Sequence, residues 1–141
     1  MLFVPDGVSI SLLLYACYFR WVPRYPGIDL VDDLLMRSKN LNIALIGATE
    51  TSLMGTVNRI KEQYPSHYIC FQKNGFSMLT HEDMVSLKEL SPDLILVAMG
   101  CPRQEALIYD LSHYLSSGVA MGVGGSFDVW SGVTHRAPKW V

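Results

Sequence analysis

Charged side chains are scarce in this 141-residue chain: they make up 17% of it, against 50% hydrophobic residues. So apolar a composition excludes a disordered chain. The net charge is -2 and the pI near 6.0, so no global basic footprint marks a nucleic-acid partner. There are 3 cysteines, Cys17, Cys70 and Cys101, and no Cys-x-x-Cys pair. That excludes a disulfide framework and a zinc site, and reads as reduced thiols of a cytosolic protein. Long hydrophobic runs are also missing. The apolar stretch from Val8 to Val22 is interrupted by Arg20 and followed by Pro23. It is shorter than the ~20 residues a bilayer span needs. It also lacks the basic start and small-residue cleavage site of a signal peptide. A buried or interfacial helix is expected there.

Several chemistry-bearing patterns are absent as well. There is no G-x-G-x-x-G and no Walker lysine, no G-x-S-x-G elbow around Ser126, and no Asp-x-Asp pair to hold a divalent metal. Asp32 and Asp33 are adjacent on an expected helix, where neighbours do not face the same way. His67, His81, His113 and His135 show no metal-ligand spacing, so neither a metal nor a cofactor is expected. The dispersed aromatic residues read as core. No repeat, low-complexity tract or linker divides the chain, and its length fits a single domain over residues 1–141.

What is present is an alternation of strand and helix. Leu2-Phe3-Val4 reads as the end of a short strand, Pro5-Asp6-Gly7 as a turn, and Val8 to Arg20 as helix. A short amphipathic helix is expected near Leu30 to Arg37, and a strand over Asn42 to Ile46 ending at Gly47. Thr49 offers an N-cap to a helix from Glu50 to Gln63, whose Leu53, Val57 and Ile60 share one face. Further strands are expected at His67 to Phe71, Asp93 to Met99 and Val119 to Val123, with helices starting at Thr80 and after Gly100. Strands separated by helices of this length imply βαβ units: an α/β, Rossmann-like parallel sheet with helices on both faces.

Four polar clusters fall at strand ends or loops. Asp6 could act as a general base at the sheet's carboxyl edge, although from local sequence alone Asp-Gly is better read as a turn signal. Arg24, in Arg24-Tyr25-Pro26-Gly27, could clamp a phosphate or be a solvated loop arginine. In Gly100-Cys101-Pro102-Arg103-Gln104-Glu105, Arg103 and the helix N–H groups could face an anion, and Gln104 a sugar hydroxyl or amide. The alternative is a well-capped helix with a surface Arg103–Glu105 pair. The glycines of Gly122-Val123-Gly124-Gly125-Ser126-Phe127-Asp128 allow close approach of backbone to a ligand.

In their order and spacing these clusters resemble the bacterial WecG/TagA/CpsF glycosyltransferase family. The matching stretches are Pro5-Asp6-Gly7, Arg24 through Gly27 to Leu30, Ile43 through Tyr64-Pro65, Asn74-Gly75-Phe76 and Ser91-Pro92-Asp93. They continue with Gly100-x-Pro102-Arg103-Gln104-Glu105, Gly122-Val123-Gly124-Gly125-x-Phe127-Asp128 and Arg136-Ala137-Pro138-x-Trp140. The resemblance implies transfer of an N-acetylmannosamine-type sugar from a UDP donor to an N-acetylglucosamine on undecaprenyl diphosphate. That transfer feeds teichoic acid, common-antigen or capsule synthesis. It implies inversion at the anomeric carbon without a metal, at the cytoplasmic membrane face. Carried over by motif, Asp6 is the base, with Arg24 and Gln104 at the donor site. The wider substrate-binding set adds Arg103, Glu105, Gly124, Gly125, Asp128 and Arg136. The family pattern includes a portion before the Asp-Gly turn and a basic, aromatic membrane-docking segment after Arg-Ala-Pro-x-Trp. The chain is expected to lack both, which makes a homo-oligomer through uncovered apolar surface an expectation too. Two other readings stand beside this one: a non-catalytic UDP-sugar-binding module, and an unrelated Rossmann-like enzyme, against which the missing glycine fingerprint counts.

Overall fold

The computed structural model describes residues 8–19, 26–136 and 138. Helix α1 (Val8–Tyr18) and helix α2 (Gly27–Arg37) precede the first described strand, β1 (Asn42–Gly47). The chain then alternates: α3 (Glu50–Gln63), β2 (Tyr68–Lys73), α4 (His81–Leu90), β3 (Leu94–Ala98), α5 (Arg103–Tyr114), β4 (Val119–Gly122) and α6 (Ser126–Trp130). The four strands form one parallel sheet in the order β2-β1-β3-β4. The expected strand 2–4 and the Asp6 turn lie outside the described residues.

The alternating side chains of the two central strands define the layers. Ile43 and Leu45 of β1, with Leu94, Leu96 and Ala98 of β3, face α2, α3 and α6. Ala44 and Ile46, with Ile95 and Val97, face Leu87 of α4 and Leu111 of α5. Strands covered on both faces need no polar alternation, so both read as unbroken apolar runs. Helices thus pack on both faces, as the sequence implies. The steps from β1 to β2, through α3, and from β2 to β3 and β3 to β4, through α4 and α5, run in opposite directions along the sheet. They use opposite faces, so all three crossovers share one hand.

Local signals set the helix boundaries. Thr49 Oγ1 accepts from Ser52 N–H at 3.2 Å and caps α3. Thr80 and Asp83 form a reciprocal capping box at α4, and Lys73 pairs with Asp83, tying the end of β2 to that helix. Asp32 leaves the surface of α2 to meet Arg59 Nη2 of α3 (2.9 Å) and Tyr64 Oη just past its end (3.1 Å).

Three expectations change. The strand read as His67–Phe71 begins at Tyr68 and runs to Lys73. His67 is instead buried below it: its Nδ1 accepts from Leu41 N–H (3.1 Å) and its Nε2 lies 2.8 Å from Leu35 O. It is a satisfied core histidine that locks α2 to β1. Second, of the two readings of α1, buried or interfacial, the buried one fails along its described side chains: Leu12, Leu13, Tyr15 and Tyr18 are exposed, as is Phe19 beyond it. At 11 residues it is also too short to cross a membrane, and no helix among the described residues is long and apolar enough to do so. Third, the aromatics are not uniformly core. Phe127 and Trp130 are buried and stacked, but Tyr68, Phe76 and Tyr109 are exposed. Period and composition assign a ring to an element without saying which face of it is covered.

Phe127 is completely buried in the α2–α3–α6 layer. Phe127→Ala is therefore expected to destabilise the fold by about 3–5 kcal/mol, seen as a lower urea midpoint at unchanged slope.

Candidate functional site

The sheet carries its cleft where the order of strands reverses. From β1 the chain moves outward to β2, whereas from β3 it moves the other way, to β4. The loops after β1 and β3 therefore leave in opposite directions and open a crevice at the carboxyl edge, the usual ligand position in such sheets. Here it has a volume of about 320 Å³. Ala48 and Thr49 line it after β1, Met99, Gly100 and Arg103 after β3, Gly75 and Phe76 after β2, and Gly124, Gly125 and Asp128 after β4.

A glycine makes the floor. Gly47 has φ +125, and a Cβ there would lie 2.3 Å from Ala98 O. No side chain fits, so β1 and β3 close to direct contact, with Ala48 N–H donating to Ala98 O at 2.7 Å. Ala48 itself is left-handed at φ 57. That conformation costs a non-glycine residue ~1–2 kcal/mol, and here it turns the chain from the strand end into α3 beside the cleft.

The walls are helix starts and one cation. The N-termini of α3 and α5 both meet the cleft, through Thr49 and Arg103. First-turn N–H groups lack intrahelical acceptors, and the macrodipole adds positive potential at the same place. Arg103 Nη2 donates to Gly75 O at 2.8 Å, which spans the opening between α5 and the turn after β2. That turn is shaped by Asn74, whose Oδ1 accepts from Phe76 N–H and Ser77 N–H at 3.1 Å each. Asn74 Nδ2 also donates to Glu50 Oε2 at 3.1 Å. Phe76 is left 79% exposed at the rim, an apolar face without a cover. On the far wall Asp128 accepts from the Ser52 hydroxyl, which in turn accepts from Thr49 Oγ1 at 3.1 Å.

Gln104 and Glu105 stand one layer behind this wall. Gln104 Oε1 accepts from Gly124 N–H at 3.0 Å, and its Nε2 donates to Glu105 Oε1 at 2.9 Å. Gln104 is nearly buried and packs on Gly122, where a Cβ would fall 2.7 Å from Gln104 Nε2. Only glycine lets the carboxamide lie flat against the end of β4. The Gln104 amide holds the Glu105 carboxyl below the usual carboxylate range. The negative charge of Glu105 in turn raises the pKa of the exposed Cys101 thiol, so Cys101 is not activated as a nucleophile.

Of the residues singled out from sequence, Arg103, Gly124, Gly125 and Asp128 converge on one cleft. Gln104 and Glu105 support it from behind. The alternative reading of this turn, a surface Arg103–Glu105 pair, is not what forms: Arg103 donates to Gly75 O, and Glu105 accepts from Gln104. Arg136 stands away from the lining residues, in an ion pair with Asp29 at 2.6 Å. Asp6 and Arg24 lie outside the described residues. Sequence reasoning missed Ala48, Thr49 and Phe76 as lining residues, treating Thr49 only as a cap. The rule that ligands meet strand carboxyl ends, applied to β1 as it was to β3, points to the first two.

Gly122→Ala is expected to push the Gln104 carboxamide off Gly124 N–H. Hydrogen exchange at the Gly124 amide should accelerate, with a loss of about 1–3 kcal/mol of stability from overpacking. An unchanged Gly124 exchange rate would show that Gln104 does not hold the turn.

With this geometry in view, similarity to known proteins is informative. Residues 1–141 match the sequence model of the Glycosyl transferase WecG/TagA/CpsF family. Three relatives bear the name N-acetylglucosaminyldiphosphoundecaprenol N-acetyl-beta-D-mannosaminyltransferase. The Bacillus subtilis (strain 168) protein is 32% identical over 140 residues, 98% of this chain and 55% of its own length. That of Bacillus spizizenii is 31% identical over 139 residues, 97% of this chain and 54% of its own. That of Staphylococcus aureus (strain NCTC 8325 / PS 47) is 36% identical over 139 residues, 96% of this chain and 54% of its own. The chain spans about half the length of the curated relatives it matches. The match runs through the strand ends and helix starts that build the cleft, and the chain belongs to the WecG/TagA/CpsF family of glycosyl transferases.

Proposed function

We propose that the cleft binds the diphosphate of a UDP-sugar and that the protein is an inverting, metal-independent glycosyltransferase. It would move an N-acetylmannosamine-type sugar to N-acetylglucosamine on undecaprenyl diphosphate, in the synthesis of teichoic acid or another surface polysaccharide. The observation that carries this reading is the convergence of two helix N-termini, Arg103 and the Gly124–Gly125 turn on one crevice, in a chain of this family. The name the relatives carry supplies the sugar and the acceptor.

The chemistry has two needs. A base must take the proton from the acceptor hydroxyl as its oxygen attacks the anomeric carbon. The bond from that carbon to the UDP oxygen breaks with its electron pair, and the growing negative charge must be met in place. Asp6 is the proposed base and Arg24 a proposed phosphate contact. Arg103 is a guanidinium already oriented by Gly75 O. N–H groups at the starts of α3 and α5 supply fixed partial charge in the absence of a metal. Gln104 and Glu105 contribute by holding Gly124, and Asp128 offers an acceptor to a sugar hydroxyl. Arg136 reaches the donor only if it leaves Asp29.

The acceptor is a lipid, so the work is assigned to the cytoplasmic face of the membrane by peripheral contact. The exposed apolar residues of α1, Leu12, Leu13 and Tyr18 among them, suit such a surface. They suit self-association equally, and a clean monomer in sedimentation at high concentration would speak against a homo-oligomer.

UDP-N-acetylmannosamine turnover with a short-chain lipid-diphosphate acceptor tests the reading. In a turnover-competent form, Asp6→Ala is expected to lower kcat by ~10²–10⁴-fold and to leave UDP affinity within about threefold, since a carboxylate base makes no stabilising contact with an anion. Undiminished turnover would remove Asp6 as the base. Arg103→Ala is expected to weaken UDP binding by ~10–100-fold, the value of one charge-assisted hydrogen bond. UDP binding without turnover would favour a non-catalytic UDP-sugar module, and no UDP binding would dismiss both.

A further inference from the structure

We infer that Ser52, wholly buried in α3, is a positioning residue that sets the direction of the donor in the cleft. Its hydroxyl ties one oxygen of Asp128 into the protein and leaves the other to accept from the sugar. The sugar then lies on the α3–α6 side and the diphosphate on the α5 side. The inference rests on the cleft being a UDP-sugar site, as proposed above. Thr49 and Asp128 both line the cleft, and Ser52 joins them from behind. Thr49 Oγ1 donates to Ser52 Oγ at 3.1 Å, and Ser52 Oγ donates to Asp128 Oδ1. Asp128 Oδ2 has no donor among the described residues. Ser52 is 0% exposed, so its hydroxyl cannot turn to water instead. The chain of bonds therefore runs one way and holds the Asp128 side chain in place.

The place of α6 does not depend on this chain of bonds alone. Thr56, one turn along the same face of α3, donates to Ser52 O at 2.8 Å, with Phe127 O at 3.4 Å. Arg59 Cζ lies 5.5 Å from the centre of the Trp130 ring, and Phe127 and Trp130 are buried against α3. Removing the Ser52 hydroxyl therefore frees the Asp128 carboxylate without undocking the helix that carries it. The two sides of the cleft also differ in charge. Arg103 opens α5, whose Leu111 packs on one face of the sheet, whereas Asp128 belongs to α6, which packs with α3 on the other. A guanidinium only donates and a carboxylate only accepts. A diphosphate carries acceptors and negative charge, so it is drawn to Arg103 and repelled by Asp128. A sugar is neutral and carries donors, its hydroxyls and, on an N-acetyl sugar, an amide N–H. A carboxylate oxygen held from behind is the matching acceptor.

Calorimetric titration of the full chain with UDP and with UDP-N-acetylmannosamine, in the absence of acceptor, decides it. The readout is the ratio of the two affinities. A merely structural role would leave that ratio unchanged, because both ligands would weaken together. Ser52→Ala is expected to lower UDP-N-acetylmannosamine affinity by ~5–20-fold, part of the value of a hydrogen bond to a charged group, with UDP within about twofold. Asp128→Asn is expected to lower it by ~10–100-fold and to leave UDP binding unchanged or tighter, since a negative charge leaves the site. In the Asp128→Asn background Ser52→Ala should change the ratio no further, because the two side chains act as one unit. Arg103→Ala should weaken both ligands alike. An unchanged ratio in either single variant, or additive losses in the double variant, overturns the inference, while UDP binding by the unsubstituted chain keeps the diphosphate reading. Weaker UDP binding by Asp128→Asn would put the diphosphate against Asp128 and overturn the direction. No UDP binding by the unsubstituted chain would remove the diphosphate reading and this inference with it.

Discussion

Everything at the carboxyl edge depends on how closely β1 and β3 come together where their chains part. Gly47 makes that approach possible, because any Cβ there would overlap the Ala98 carbonyl. The Ala48 N–H is satisfied by the same carbonyl, so the strand end needs no water or side chain to close it. Ala48 then turns left-handed and launches α3, and the departing chain after Ala98 leads by Gly100 into α5. Two helix starts are thereby aimed at one small volume. A looser junction would separate them and lose the summed potential that favours an anion.

Around that junction the site is mostly backbone. Arg103 is the one guanidinium among the described lining residues, and it is held by Gly75 O across the opening. The Gly124–Gly125 turn is held by Gln104, and Gln104 is in turn oriented by Glu105. This is a division of labour within one hexapeptide: Arg103 faces the cleft while the next two residues brace the opposite wall. A diphosphate bound here would meet fixed dipoles whose positions are set by packing, so little reorganisation accompanies charge development on the leaving group.

Much of this was legible in the sequence, for identifiable reasons. Ile43–Ile46 and Leu94–Ala98 are unbroken apolar runs ended by turn residues, so the buried parallel strands and the residues at their ends could be named in advance. Thr49 and Thr80 announced their helices because caps are local chemistry. Pairing across the chain was not legible. Nothing in Gln104-Glu105 reveals that the amide faces Gly124, twenty residues on, or that Gly122 is small to admit it. Arg136 sat in a matching motif yet finds Asp29, 107 residues away. His67 read as a strand residue but serves as a buried bridge, because its ring nitrogens meet Leu41 and Leu35, which no window around position 67 contains.

The central claim is that the crevice between β1 and β3 is a diphosphate site made by helix starts. Amide chemical-shift mapping during a UDP titration tests it most directly. Binding should shift the amides of Thr49 to Thr51, of Gly100, Cys101, Arg103 and Gln104, and of Gly124 and Gly125. It should leave those around Ser116 to Gly118, at the opposite end of the sheet, in place. Saturable shifts confined to that opposite end, or none anywhere at millimolar UDP, would contradict the account.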